Sequence, residues 1–220
     1  VARGAEDVIS TGQAKLGADM QRREILKGII GSAALLPASS AFAQLTDLLT
    51  APKTLVDRAI EARKAGDIAK DNEIVLKVNK VMAEVTSIKA STEIYEQRLL
   101  ITGLFDDKAV YDKFEKGVRA IADVKKLYWH AVYLSPADQQ KRKAELMSWA
   151  DVTVLESKGK ARLIGTRGVA DVNFRLCADA FGTLYLLGRA RSKEEMDKAL
   201  ARARDGEGVR KVVNYVEVRA

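Results

Sequence analysis

One stretch of this chain occurs twice, and that repeat limits the fold more than any other feature. Arg98-Leu-Leu-Ile-Thr-Gly-Leu-Phe-Asp-Asp-Lys108 returns in altered form as Thr183-Leu-Tyr-Leu-Leu-Gly-Arg-Ala-Arg-Ser-Lys193, 85 residues later and without a gap. The same offset carries Leu99 onto Leu184, Gly103 onto Gly188, Asp112 onto Asp197, Arg119 onto Arg204 and Lys126 onto Lys211. Each copy reads as an apolar strand, a glycine, a charged helix start, an amphipathic helix and a final strand. Two copies are too few for a solenoid, so the duplication predicts two small sibling domains.

Hydrophobic spacing fills in each copy. Thr54 can cap a helix through Lys64, which Gly66-Asp67 ends. Asp71 then precedes a helix with Ile74, Val75, Val78, Val81, Met82 and Val85 at helical spacing; the two could also be one bent helix. Ile88–Ile94 and Arg98–Thr102 read as a hairpin ended by Gly103. A helix from Asp106-Asp107 to about Ala122 turns Val110, Tyr111, Phe114, Val118 and Ile121 inward, and Val124–Leu134 is a final strand.

In the second copy, Asp151–Ile164 is the first helix, weakened by Gly159. Val172–Ala178 and Thr183–Leu187 form the hairpin. Ser192 with Glu195 reads as a capping box for a helix to about Arg204, and Val209–Val218 closes the copy. The expected fold is α+β: two tandem αββαβ domains, each a three-stranded mixed sheet with helices on one face.

Asp71-x-x-Ile-x-x-Lys-Val-Asn-x-x-Met82, the hairpin ending in Gly103, the helix and the strand beginning at Val124 resemble a BON domain. The resemblance covers residues 69–134 and, more loosely, 150–218. That family is typified by osmotically induced periplasmic proteins and dual-BON envelope lipoproteins, so the resemblance implies phospholipid association without catalysis. Gln97 departs from the pattern, which holds glycine in the hairpin turn, as Gly182 does in the second copy. A longer first turn would accommodate it.

The N-terminal region reads as a leader. Gln21-Arg22-Arg23-Glu24-Ile25-Leu26-Lys27, an apolar run from Gly28 to Leu36 and Ala41-Phe42-Ala43 have the layout of a cleavable secretory signal. The paired arginines resemble a twin-arginine export motif. The apolar run is too short to span a bilayer. The expected division is therefore 1–19 as an over-extended N-terminus ahead of a start at Met20, 20–43 as export signal and 44–68 as an N-terminal helix. Residues 69–134 form the first domain, 135–148 a linker helix and 149–220 the second domain. The expected location is the periplasm.

Reactive residues are scarce. His130 is the single histidine and Cys177 the single cysteine, so no intrachain disulfide can form and no second histidine is available for a metal site. Both read as sheet residues. Acidic pairs such as Asp106-Asp107 and Glu194-Glu195 suit helix starts. No Walker loop, dinucleotide fingerprint or nucleophile elbow is present. The reading is non-enzymatic, with neither cofactor nor metal. Gly103 and Gly188 are assigned a structural role, either a positive φ or close packing.

Charge points to a surface. The formal net charge is +7 and the pI about 9.4. Residues 135–220 hold 17 basic and 12 acidic residues, against 15 and 14 in residues 44–134. Trp149, Lys158, Lys160, Arg162 and Arg167 make up the candidate surface for anionic phospholipid. The first functional reading is a periplasmic protein that binds anionic phospholipid surfaces and supports envelope integrity under stress. The alternative is a periplasmic chaperone or adaptor for envelope proteins. Nucleic-acid binding is opposed by the export leader.

Overall fold

The computed structural model describes residues 61–85 and 89–219. The export signal, the over-extended N-terminus and most of the Thr54–Lys64 helix fall outside the described residues. Ala62–Ala220 forms one compact unit. Its first half runs α1 (Ala65–Ala83), β1 (Ala90–Tyr95), β2 (Arg98–Phe105), α2 (Lys108–Arg119) and β3 (Lys126–Tyr133). A short helix α3 (Pro136–Lys141) leads to the second half. There follow α4 (Trp149–Ile164), a 3-10 turn (Asp171–Asn173), β4 (Phe174–Ala178), β5 (Thr183–Ala190), α5 (Lys193–Arg204) and β6 (Lys211–Val218).

The two halves share one topology. β1 pairs with β2 as an antiparallel hairpin, and β3 joins β2 in parallel after the α2 crossover. β4, β5 and β6 repeat this arrangement, so each sheet is three-stranded and mixed, with the hairpin's second strand in the centre. The fold is α+β with a duplicated αββαβ unit, as the repeat predicts.

Alternation along the central strands decides what each face meets. Leu99, Ile101 and Phe105 point towards α1 and α2 and form a core with Ile74, Val78, Phe114 and Val118. Leu184, Leu186 and Ala190 do the same with Val152, Leu155, Ala199 and Ala203. The intervening residues Leu100, Tyr185 and Leu187 point the other way. They meet Tyr95 and Cys177 in a third buried cluster. The helix-free faces of the two sheets thus cover each other, giving four layers: helices, sheet, sheet, helices.

Local chemistry sets the helix starts. Asp107 accepts hydrogen bonds from Ala109 N (2.8 Å) and Val110 N (3.0 Å) and so caps α2. Ser192 Oγ accepts from Glu195 N (3.1 Å) at α5. The return bond expected of a capping box goes elsewhere: the Glu195 carboxylate accepts from Arg191 N (2.8 Å) and Ala170 N (2.7 Å). Gly103 and Gly188 lie inside β2 and β5 rather than ending them. A Cβ at Gly103 would sit 2.8 Å from the Lys89 carbonyl oxygen, and one at Gly188 2.1 Å from that of Asn173. Gly188 also has φ +149. Gly159 serves close packing as well, since a Cβ there would meet Leu176 at 3.1 Å.

Two expectations are corrected. Gly66-Asp67 does not end a helix: residues 61–64 are non-helical, and α1 begins at Ala65. Asp71 therefore sits within α1 and not ahead of it. The first hairpin turn is also shorter than the second, not longer. Glu96 and Gln97 alone make it, with φ 53 and 61, in the left-handed region that the two-residue hairpin turn demands.

Asp71 explains how that turn survives without glycine. The side chain is 1% exposed. Its oxygens accept from Glu96 N (2.9 Å), Gln97 N (2.6 Å) and Gln97 Nε2 (3.0 Å). Arg63 Nη1 donates to the same carboxylate at 2.7 Å. These charge-assisted bonds offset the steric cost of two left-handed residues, roughly 1–2 kcal/mol each. Asp71→Ala is expected to cost about 3 kcal/mol, as loss of a buried, paired carboxylate does. Urea denaturation reads this as a lowered midpoint, and Asp71→Asn falls in between.

Candidate functional site

The residues marked out for a membrane surface lie on and after α4, and the fold separates them. Ser148 caps α4 by accepting from Asp151 N (3.1 Å). Trp149, the first residue of the helix, is half-buried and packs against the core of the second half. Val152, Leu155, Gly159 and Leu163 form the buried stripe of the helix. Lys158 lies on one flank of that stripe and is exposed, as is Arg167 in the following loop.

Lys160 lies on the other flank and points inward, because that flank faces Glu93 of β1. Its Nζ lies 2.7 Å from Glu93 Oε1 of β1 and 2.9 Å from Glu156 Oε1 one turn back. Glu156 also accepts from Ala178 N at 3.3 Å. Burial pulls the ammonium pKa down, but the two carboxylates outweigh it and hold the group firmly protonated. Arg162 spends its guanidinium on the C-terminal carbonyls of α5, donating to Arg202 O at 3.0 Å and Ala203 O at 3.5 Å. Lys160 and Arg162 therefore hold the fold together, which leaves Lys158 and Arg167 as the solvent-facing cations of the set.

The layer between the sheets brings together residues that the sequence left apart. His130 on β3 stacks on the Tyr185 ring at 4.1 Å, and its Nε2 lies 2.8 Å from the Tyr215 hydroxyl. Tyr128 stacks on Tyr215 at 4.0 Å. Tyr185 donates to Asp179 Oδ2 at 2.8 Å, while Asp179 Oδ1 accepts from Phe181 N and Thr183 N in the second hairpin turn. Arg98 crosses the layer, donating to Gly188 O (2.8 Å) and Tyr215 O (3.1 Å) and pairing with Glu217. Its buried environment and three acceptors identify it as a structural tie, a role that sequence spacing did not suggest.

Cys177 faces this layer across from Tyr185 in the β4–β5 register. Burial drives its thiol pKa well up, with Glu156 and Glu93 adding to the effect, so the reactive thiolate is suppressed. No hydrogen bond links Cys177 to His130 among the described residues. Nor do the described residues contain a group of three His, Cys, Asp or Glu able to hold a metal ion. No described helix is long and apolar enough to cross a membrane.

Two measurements check these assignments. Burial lowers the His130 pKa from 6.5, with Asp179 opposing and Lys211 reinforcing the shift. An NMR titration of the imidazole should give a midpoint below 6.5. Unfolded chains bind this proton first, so stability falls as pH drops through that range, and His130→Phe should flatten the slope. Lys160→Ala is expected to cost about 3 kcal/mol in urea denaturation, because it leaves two carboxylates facing each other without their shared cation. Adding Glu93→Gln should recover part of that loss.

Comparison with known proteins matches a family model to the second half of the chain. The BON domain family model matches residues 150–220, which span α4 to the C-terminus. That family is generally non-enzymatic and is associated with phospholipid-binding envelope proteins. An uncharacterized protein in the gshII 5' region of Anaplasma centrale is 25% identical over 150 residues, covering 68% of this chain and 95% of its own. Among solved structures, CdsD, a structural protein of the Type III secretion system of Chlamydia trachomatis, is 11% identical, with a TM-score of 0.27. The alignment covers 67% of this chain and 92% of that one. The C-terminal domain of CdsD gives the same identity and TM-score over 98% of its length. The family match falls on one copy of the duplicated unit, so residues 150–220 are similar to a BON domain.

Proposed function

We propose that this protein is a non-enzymatic envelope protein of the periplasm that associates peripherally with anionic phospholipid and supports envelope integrity under stress. The observation that carries the reading is the coincidence of the BON match with the more cationic half of the chain. The leader pattern at residues 20–43 supports the location. The buried, ionisation-suppressed state of Cys177 and the packing of His130 between tyrosines leave neither poised for catalysis.

Contact with headgroups falls to the exposed cations Lys158 and Arg167, while Trp149 packs against the core. Each basic residue held near an anionic surface contributes roughly 1 kcal/mol. Two such residues give weak, salt-sensitive association.

Vesicle sedimentation with residues 44–220 tests this. Binding should require anionic lipid, weaken as salt is raised, and drop about tenfold in the Lys158→Glu, Arg167→Glu double variant. Equal sedimentation with neutral vesicles would sink the reading.

A further inference from the structure

β3 and β6 are edge strands whose rings meet along a seam, Tyr128 and His130 against Tyr215, and the chemistry of that seam differs from that of the α4 surface. Both strands end their sheets, both are eight residues long, and neither contains proline. Such an edge offers backbone N–H and C=O groups to an incoming strand. Tyr128, His130 and Val132 on β3, with Val213 and Tyr215 on β6, are all half-buried. Ring stacking of Tyr128 on Tyr215 and of His130 on Tyr185 makes this floor rigid and largely apolar.

Three exposed lysines border the floor. Lys126 Nζ lies 5.0 Å above the Tyr128 ring, Lys125 precedes it, and Lys211 is close enough to lower the His130 pKa. None of the three has a carboxylate partner among the described residues. Of the carboxylates facing the seam, Glu217 is already paired with Arg98 at 3.0 Å and Arg219 at 3.2 Å, and Asp179, near enough to act on His130, is buried and accepts hydrogen bonds from Tyr185, Phe181 and Thr183. The unpaired charge along the seam is therefore positive. A second copy of the chain would set lysines against lysines, whereas an acidic strand would complement them.

We propose that this seam is a docking surface for an extended acidic segment of another protein, which adds as a strand to the outer edge of β3. Backbone pairing along the edge would supply affinity, and the lysines would select for acidic side chains. The site is independent of Lys158 and Arg167, so it extends the membrane reading without resting on it.

The test is to pan a random decapeptide library, displayed on phage, against the full chain. Enriched peptides should carry net negative charge. Synthesised and titrated into 15N-labelled protein, they should perturb the amides of Lys126–Tyr133 and of neighbouring β6. Their affinity should fall about tenfold in the Lys126→Glu, Lys211→Glu variant, whose substitutions lie at exposed positions. Vesicle sedimentation of that variant should stay within twofold or so of the parent, separating this surface from the lipid surface. An enriched set without acidic bias, perturbation confined to other elements, or undiminished binding to the variant would overturn the proposal. So would a library that enriches nothing while anionic vesicles shift the β3 amides, since that result would assign the seam to the membrane.

Discussion

Each three-stranded sheet has one face covered by helices and one face that its own half cannot cover. That uncovered face carries Tyr95 and Leu100 in the first half and Cys177, Tyr185 and Leu187 in the second. Burying a side chain of leucine size is worth about 1.5–3 kcal/mol, so neither face can remain in water without a large loss. Duplication meets the constraint by setting the two faces against each other. Most of the polar atoms of Thr102 and Arg98 caught in the layer are bonded within it: Thr102 Oγ1 donates to Ala178 O at 2.6 Å, and the Arg98 Nη atoms donate to Gly188 O and Tyr215 O, leaving Arg98 Nε without a partner. This is what buried donors require if the layer is to stabilise the fold.

The repeat meets itself in that layer. His130 and Tyr215 are 85 residues apart, the repeat offset, and they are hydrogen-bonded to one another. Equivalent positions of two sibling units come together as residues do across a two-fold interface between identical subunits. The same packing accounts for the quiet chemistry of the layer. Burial lowers the His130 pKa and raises those of Cys177 and Tyr185, so each group is held in its neutral form. Neutral, hydrogen-bonded and stacked groups build an interface.

Covering the sheets also sorts the positive charge. Lys160 is drawn into an ion pair network that joins α4 to β1, and Arg162 is drawn onto the end of α5. Lys158 and Arg167 are left at one surface, and Lys125, Lys126 and Lys211 at another. A net charge of +7 therefore overstates how much positive charge any single partner meets. The two exposed sets also have different settings: one beside a helix, the other beside a strand edge with an aromatic floor.

The sequence by itself determined the duplicated αββαβ order, the hairpins, the helix start at Asp106-Asp107, the cap at Ser192, and the need for glycine at 103 and 188. These features are legible because they depend on neighbours within a few residues or on a pattern stated twice. Only the tertiary structure decided that the helix-free faces meet, that Asp71 holds the Glu96-Gln97 turn, and that Lys160 turns inward. Asp71 acts on amides 25 and 26 residues away, and Lys160 reaches a carboxylate 67 residues away. A lysine four residues after a glutamate reads the same whether the pair is solvated or buried. What separates the two cases is the arrival of Glu93 from the other half, which no local spacing encodes.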